Sequence, residues 1–140
     1  MIRPLPTVLH VENDKNDQLL ARIAFQRVQC PVNLPAVEDG EQAMDYLMNA
    51  GRFSDRVLYP FPDLILLDLK LPRKSGMQVL EWVRTRPEFD GLPILVLSSS
   101  EHSDDRDRAM ALGANAYHAK PLALDPLTGL VREICKDWLT

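Results

Sequence analysis

The fold of this chain is decided by the stretch Pro62-Asp63-Leu64-Ile65-Leu66-Leu67-Asp68-Leu69-Lys70-Leu71-Pro72-Arg73-Lys74-Ser75-Gly76. Its apolar run, residues 64–67, is typical of a strand buried on both faces in a parallel sheet. The run ends at an acid, Asp68, after which Pro72 and Gly76 favour a turn. Because sites in open parallel α/β sheets form at the carboxyl ends of the strands, this position favours a chemical role for Asp68. The alternative is that its side chain caps the following helix or faces solvent.

The composition excludes several classes of protein. A chain of 140 residues suits one domain, and we predict a single domain over residues 1–140 with no output domain. A net charge of -4 and the lack of a basic stripe argue against nucleic-acid binding. No apolar run reaches the ~20 residues of a membrane helix, and the N-terminus does not resemble a signal peptide. We therefore predict a cytoplasmic protein with no membrane or nucleic-acid partner.

The cysteines and histidines show no pattern of metal binding. The two cysteines, Cys30 and Cys135, are far apart in the sequence and fit no ligand spacing. We expect them to be reduced thiols, as is usual in a cytosolic protein. The histidines, His10, His102 and His118, also lack ligand spacing and are interpreted as structural or solvated.

Strand patterns and helix patterns alternate along the chain five times. Each short apolar run is followed by apolar residues at helical spacing. Short connections between such segments favour parallel strands joined by right-handed crossovers, with helices on both faces of the sheet. We therefore predict an α/β fold with a doubly wound, five-stranded parallel sheet and five helices. The predicted strands comprise residues 7–11, 34–37, 64–67, 92–97 and 116–119.

Residues 50–62 interrupt this alternation. The segment is longer than the usual connection of about 2–6 residues between a helix and a strand. It contains the aromatic residues Phe53, Tyr59 and Phe61. These either pack as a lid on the second helix, which we favour, or offer a surface to a partner.

Polar side chains follow four of the predicted strands. Carboxylate and amide oxygens suit Mg²⁺, which binds one or two carboxylates beside waters and a phosphate. A hydroxyl and an ammonium group at the same edge would stabilise an anionic group. An aspartate can accept a phosphoryl group, and a metal ion and a lysine offset the charge of that group. The residues are Glu12, Asn13 and Asp14 after the first strand, Asp68 after the third, Ser98 at the end of the fourth and Lys120 after the fifth.

Four motifs in this chain resemble the receiver domains of two-component response regulators. The resemblance covers essentially the whole chain and implies the flavodoxin-like strand order 2-1-3-4-5. Segment 50–62 and the short tail after Trp138 look most like the stand-alone regulators that partner bacterial phytochrome kinases. The motifs are Val11-Glu12-Asn13-Asp14, Asp68-Leu69-Lys70-Leu71-Pro72-Arg73-Lys74-Ser75-Gly76, Leu97-Ser98-Ser99 and Tyr117-His118-Ala119-Lys120-Pro121.

The resemblance implies a Mg²⁺-dependent phosphorelay reaction at Asp68. This residue would accept a phosphoryl group from a phosphohistidine on a sensor histidine kinase, such as a bacteriophytochrome. The metal ligands would come from Glu12, Asn13, Asp68 and the backbone carbonyl of Lys70.

The resemblance also implies a switch. Ser98 would hydrogen-bond the phosphoryl group and Lys120 would pair with its charge, while Pro121 would follow a cis peptide bond. Tyr117 would swing inward after Ser98 moves; the alternative is a half-buried aromatic residue at the sheet edge. A downstream protein would read the surface of the fourth helix, fifth strand and fifth helix. A homodimer is suggested by the resemblance alone.

One position departs from the family's pattern. The family usually has two acids after the first strand, of which the second binds the metal directly, and here that position is Asn13. An amide oxygen still binds Mg²⁺ but lacks a negative charge, so we expect weaker Mg²⁺ binding. A one-residue shift that used Asp14 instead would disturb its role as a helix cap. Ser98 replaces the more usual threonine and keeps the hydroxyl group.

Two functions other than phosphorelay are alternatives for this chain. A pseudo-receiver, which binds proteins without phosphorylation, is supported by Asn13 but opposed by the intact Asp68, Ser98 and Lys120. A Mg²⁺-dependent phosphohydrolase would carry an acid two residues after its aspartate nucleophile. That position is Lys70, so the leaving group would lack its proton donor. We therefore interpret the chain as a signalling protein rather than an enzyme.

Overall fold

The structure is a computed structural model that describes residues 4–99 and 102–139. Within these ranges strands and α-helices alternate, and two short 3-10 helices, Gly51–Phe53 and Pro87–Phe89, lie in connections. The strands are β1 (Val8–Val11), β2 (Ala36–Val37), β3 (Leu64–Leu67), β4 (Ile94–Ser98) and β5 (Ala116–Ala119). The helices are α1 (Lys15–Arg27), α2 (Gly40–Leu47), α3 (Gly76–Arg84), α4 (Ser103–Leu112) and α5 (Leu124–Trp138).

The strands form one parallel sheet in the order β2-β1-β3-β4-β5. The predicted fold class and strand order are therefore confirmed. β2 is a two-residue edge strand, shorter than the predicted segment 34–37. Pro35 has no N–H group to donate to a neighbouring strand, which favours an edge position. Its carbonyl accepts a hydrogen bond of 2.9 Å from the backbone N–H of His10.

Alternation along the central strands builds an apolar core on each side of the sheet. Successive side chains of a strand point to opposite faces. In β3, Ile65 and Leu67 pack against α2, α3 and α4, whereas Leu64 and Leu66 pack against α1 and α5. The continuous apolar run is therefore explained by burial on both faces.

Segment 50–62 folds back onto α2, as favoured from the sequence. Phe53 is buried, and its ring centroid lies 5.2 Å from that of Tyr46 on α2. The guanidinium group of Arg56 donates a hydrogen bond of 3.0 Å to the backbone carbonyl of Tyr46, near the end of the helix. Val57, at the tip, is 87% exposed. Phe53 is thus part of the core and Tyr59 packs against it, whereas Phe61 is 43% exposed.

The two cysteines are joined, which corrects the expectation of reduced thiols. Cys30 follows α1 and Cys135 lies on α5, and the structure links them by a disulfide with a Cα–Cα distance of 6.6 Å. The residues are separated by 105 positions in the sequence. Sequence separation does not report distance in space, and here the packing of α1 beside α5 brings the two together.

We expect this disulfide to stabilise the folded chain measurably. A cross-link that closes so long a loop restricts the unfolded ensemble and contributes about 2–4 kcal/mol. Urea denaturation with and without dithiothreitol should show that loss in the free energy of unfolding. The variant Cys30→Ser/Cys135→Ser should be as stable as the reduced protein and insensitive to reductant. Equal stability of the oxidised and reduced wild type would contradict the expectation.

Among the residues that the structure describes, no helix combines the length and the apolar character needed to cross a membrane.

Candidate functional site

The sequence-predicted polar residues meet at the carboxyl edge of the sheet. Asp68 follows β3 and is 7% exposed, and its backbone N–H donates to the carbonyl of Val11 on β1 over 3.0 Å. Glu12, which follows β1, is also buried. Lys120 follows β5. Because all five strands run in one direction, these ends share one edge.

The ammonium group of Lys120 lies among three carboxylates. Its Nζ atom donates hydrogen bonds to Asp68 Oδ2 at 2.9 Å and to Asp17 Oδ2 at 3.0 Å. Nζ also lies 2.5 Å from Glu12 Oε1, an ion pair whose angles fall outside those of a hydrogen bond. One lysine therefore connects residues that follow β1, β3 and β5 with the first turn of α1.

Burial and ion pairing shift the pKa values of Lys120 and Glu12 in opposite directions. Burial lowers the pKa of Lys120, but its contacts with Glu12, Asp68 and Asp17 outweigh burial and raise the pKa overall. Burial raises the pKa of Glu12, although Lys120 and the N–H of Asp14 act against it. Lys120 is therefore charged at neutral pH. Three acidic side chains surround this single ammonium group.

The loop after β3 returns to the backbone of Asp68. The N–H of Lys70 donates to Asp68 Oδ1 over 3.0 Å and fixes the carboxylate. Gly76, the first residue of α3, donates its N–H to the carbonyl of Leu69 over 3.0 Å. A Cβ atom on Gly76 would lie 2.2 Å from the carbonyl oxygen of Asp68, so only glycine fits. The first residue of α3 is thus packed directly against the backbone of Asp68.

The first turn of α1 assigns different roles to two neighbouring residues. Asp14 is the N-cap, and its Oδ1 accepts hydrogen bonds from the N–H groups of Asn16 at 2.7 Å and Asp17 at 3.2 Å. The one-residue shift that would bring Asp14 into the site is not found, because the cap holds it in place. Asn13 is exposed at the rim of the edge.

Ser98, Tyr117 and Pro121 lie beside this cluster. Ser98 is fully buried at the end of β4, and its carbonyl accepts a hydrogen bond of 2.8 Å from the N–H of Lys120. Tyr117 is half-buried and packs against the core on the α3 and α4 side. The bond between Lys120 and Pro121 is trans, so the prediction of a cis peptide was wrong. X–Pro bonds favour trans by about 0.5–1 kcal/mol, and Lys120 reaches the carboxylates with that isomer.

Sequence reasoning missed three residues at this edge. Asp17 contacts Lys120, and Gln18 donates a side-chain hydrogen bond of 2.7 Å to the carbonyl of Glu12. His10 is buried on β1. A signal for Asp17 was present, because it lies three residues after the N-cap and the first turn of α1 begins at this edge. The patterns around Gln18 and His10 give no comparable signal.

The donors at this edge suit a hard divalent cation that keeps several waters. Among the described residues, no three His, Cys, Asp or Glu side chains form a group that could hold a metal ion by themselves. Both oxygens of Glu12 already have partners, the N–H of Asp14 at 3.0 Å and Lys120. The Asp68 carboxylate lies at this edge, and the nearby Asn13 amide and Lys70 carbonyl would add the oxygen donors that Mg²⁺ prefers. Three acidic side chains beside one ammonium group also favour a cation, so these donors suit the predicted metal.

Comparison with known proteins decides the family. The model of the response regulator receiver domain matches residues 8–132. This chain belongs to the response regulator receiver domain family. The response regulator Rcp1 of Synechocystis sp. is 33% identical to it over 136 residues, which cover 97% of this chain and 90% of Rcp1.

Solved structures place this receiver domain beside phytochrome response regulators. The phosphorylated cyanobacterial phytochrome response regulator RcpA has a TM-score of 0.89 at 34% identity, covering 98% of this chain and 96% of RcpA. The Mn²⁺-bound form of Rcp1 has a TM-score of 0.85 at 33% identity, covering 96% of this chain and 94% of that chain. The predicted resemblance to response regulators of phytochrome signalling is confirmed.

The buried His10 makes the stability of this receiver domain depend on pH. Burial, assisted by the nearby charge of Lys120, lowers the pKa of His10 from 6.5 to about 4. Between these pH values the unfolded chain binds more protons than the folded chain, so the free energy of unfolding falls as the pH falls. At about 1.4 kcal/mol per pKa unit, we expect a loss of about 3 kcal/mol.

Urea denaturation between pH 7 and pH 4 tests this expectation (a range of about three pH units around the ordinary histidine pKa). His10→Gln removes the titrating group and keeps a polar side chain of similar size. Other titrating groups, including Glu12, contribute equally to both proteins. The difference between their plots of unfolding free energy against pH therefore isolates the contribution of His10. The same slope in the wild type and the variant would show that His10 does not carry the effect.

Proposed function

We propose that this receiver domain accepts a phosphoryl group on Asp68 from a phosphohistidine of a sensor histidine kinase. The observation that carries the proposal is the buried Asp68 carboxylate, which lies 2.9 Å from the ammonium group of Lys120 at the carboxyl end of β3. A carboxylate there is a nucleophile, and the ammonium group is ready to offset the charge that the phosphoryl group brings.

In the proposed transfer, an Asp68 carboxylate oxygen forms a bond to phosphorus as the phosphorus–nitrogen bond of the phosphohistidine breaks. The kinase histidine leaves with the electron pair of that bond and takes up a proton. The N–H of Lys70 keeps the Asp68 carboxylate in one orientation. Lys120 pairs with the phosphoryl oxygens, and the Ser98 hydroxyl donates a hydrogen bond to them.

Bound Mg²⁺ supplies positive charge that stabilises the transferring phosphoryl group. The proposed direct ligands on this chain are the Asp68 carboxylate, the Asn13 amide oxygen and the Lys70 carbonyl. Glu12, whose carboxylate also accepts the N–H of Asp14 and pairs with Lys120, completes the proposed ligand set. The structural neighbour Rcp1 has a Mn²⁺-bound form, which supports a divalent cation in a relative.

Phosphorylation adds negative charge and acceptor oxygens to Asp68. These would draw Ser98 and Lys120 towards the phosphoryl group and shift the ends of β4 and β5. We propose that the surface of α4, β5 and α5 reports this shift to a downstream protein, with Tyr117 as the switching aromatic residue. A single receiver domain over residues 1–140 would then signal through that partner.

A phytochrome-type sensor kinase is the proposed phosphodonor. Support comes from the similarity over nearly the whole chain to RcpA, a cyanobacterial phytochrome response regulator. The alternative of a pseudo-receiver is not favoured, because Asp68, Ser98 and Lys120 are all present at one edge of the sheet.

Intact mass after incubation with acetyl phosphate tests the phosphoacceptor. We expect the wild type to gain one phosphoryl group in the presence of Mg²⁺ and none in the presence of a chelator. Asp68→Asn should gain none. Asp125→Asn makes the same change of charge at an exposed ion pair with Arg27 and should behave like the wild type. No gain by the wild type at any Mg²⁺ concentration would favour the pseudo-receiver.

A Mg²⁺ titration of Asn13→Asp tests the role of Asn13, the residue that differs from the family's usual acid. We expect Mg²⁺ to bind about tenfold more tightly, since a carboxylate replaces an uncharged ligand at short range. Isothermal titration calorimetry measures the affinity directly. Asn16→Asp adds the same charge to the first turn of α1 and is the matched control, with a much smaller expected gain. An unchanged affinity in Asn13→Asp would contradict Asn13 as a ligand.

A further inference from the structure

We propose that Asp17 is a positioning residue that holds the Lys120 ammonium group in the unphosphorylated site and releases it to the phosphoryl group on Asp68. This inference rests on the proposed function, because it assumes that Asp68 is phosphorylated. It assigns a role to a carboxylate that the phosphotransfer itself does not require. It also predicts which contact of Lys120 breaks when the site is modified.

Lys120 has a fixed number of N–H donors to share among its neighbours. An ammonium group has three N–H donors and no acceptor. In this structure Nζ has three carboxylate neighbours, Glu12 at 2.5 Å, Asp68 at 2.9 Å and Asp17 at 3.0 Å. A phosphoryl oxygen on Asp68 therefore competes with these carboxylates for the N–H donors of Lys120.

Burial decides which neighbour gives up its contact. The Glu12 side chain is 2% exposed, and leaving a buried charge without its partner is strongly unfavourable. The Asp17 side chain is 34% exposed, so water can replace the ammonium group there. Asp68 carries the phosphoryl group and keeps Lys120 close. The contact with Asp17 is thus the one whose loss costs least.

The position of Asp17 on α1 lets it stay in place while Lys120 moves. Its backbone N–H is held by the side chain of the N-cap Asp14, which fixes the first turn. A carboxylate in the first turn also interacts favourably with the helix dipole, so Asp17 retains a partner for its charge. Release of Lys120 would break the direct link between α1 and the residue that follows β5. The β5 end would then be free to follow the phosphoryl group.

Binding of beryllofluoride, a noncovalent mimic of the phosphoryl group, provides the first test. In the presence of Mg²⁺, Asp17→Asn should bind it about fivefold more tightly than the wild type, because a competing partly exposed ion pair has been removed. Asp125→Asn removes the same charge from an exposed ion pair with Arg27 and should match the wild type. An unchanged or weaker affinity in Asp17→Asn would overturn the proposal.

A double-mutant cycle separates this role from a general effect of charge. If Asp17 acts through Lys120, Asp17→Asn should have no effect on beryllofluoride affinity in a Lys120→Gln background. A fivefold gain that persists without the lysine would mean that Asp17 merely repels the anion, and the proposal would fail. Thermal unfolding of each variant checks that the fold is retained.

Side-chain carboxyl ¹³C NMR of the wild type tests the exchange without any substitution. On addition of Mg²⁺ and beryllofluoride, the Asp17 resonance should move towards that of a solvated aspartate while the Glu12 resonance stays. A shift of the Glu12 resonance with the Asp17 resonance unchanged would show that Glu12, and not Asp17, releases Lys120, and would overturn the proposal. A wild type that neither binds beryllofluoride nor accepts phosphate from acetyl phosphate would overturn the proposed function itself. Normal wild-type binding with no effect of Asp17→Asn would overturn only the role of Asp17.

Discussion

The contact between the Lys120 ammonium group and its three carboxylates is the interaction on which this site depends. Glu12 and Asp68 are buried acids that both contact the Lys120 ammonium group, and a buried carboxylate without a counter-charge is strongly unfavourable. Lys120 supplies that charge at 2.5 Å and 2.9 Å and is itself kept charged by them. Removing the lysine would leave both acids uncompensated. The same contacts join β1, β3 and the end of β5, so the charge cluster is also a structural junction.

The topology of the sheet is what brings these charges together. β1 and β3 are neighbours, and the N–H of Asp68 bonds to the carbonyl of Val11, so Glu12 and Asp68 follow paired strands. β5 lies beyond β4, and the Lys120 side chain reaches past β4 to contact Asp68. Gly76 then allows α3 to begin against the Asp68 backbone.

The sequence predicted part of the site. The two contacts that it did not predict, between Asp17 and Lys120 and between the cysteines, were missed for the same reason. The carboxyl-end positions of Glu12, Asp68, Ser98 and Lys120 follow from short apolar runs with polar residues behind them. The contact of Asp17 with Lys120 spans 103 residues and depends on where the α1 helix starts relative to the sheet. The disulfide spans 105 residues and depends on α1 and α5 packing side by side. A local sequence pattern shows neither where α1 starts relative to the sheet nor which helix packs beside it.

The sequence by itself determined the strands, the helices, their order and the edge at which the candidate site lies, because periodicity, caps and turns are local properties of the chain. It also determined the family, through Asp68 and the motifs around it. Only the tertiary structure decided that Glu12 contacts Lys120 and the N–H of Asp14, that Asp14 is the helix cap and that Asp17 is the most exposed of the three carboxylates around Lys120. It also decided that Cys30 pairs with Cys135. These facts depend on burial and on distances between remote segments, which arise only when helices pack on the sheet.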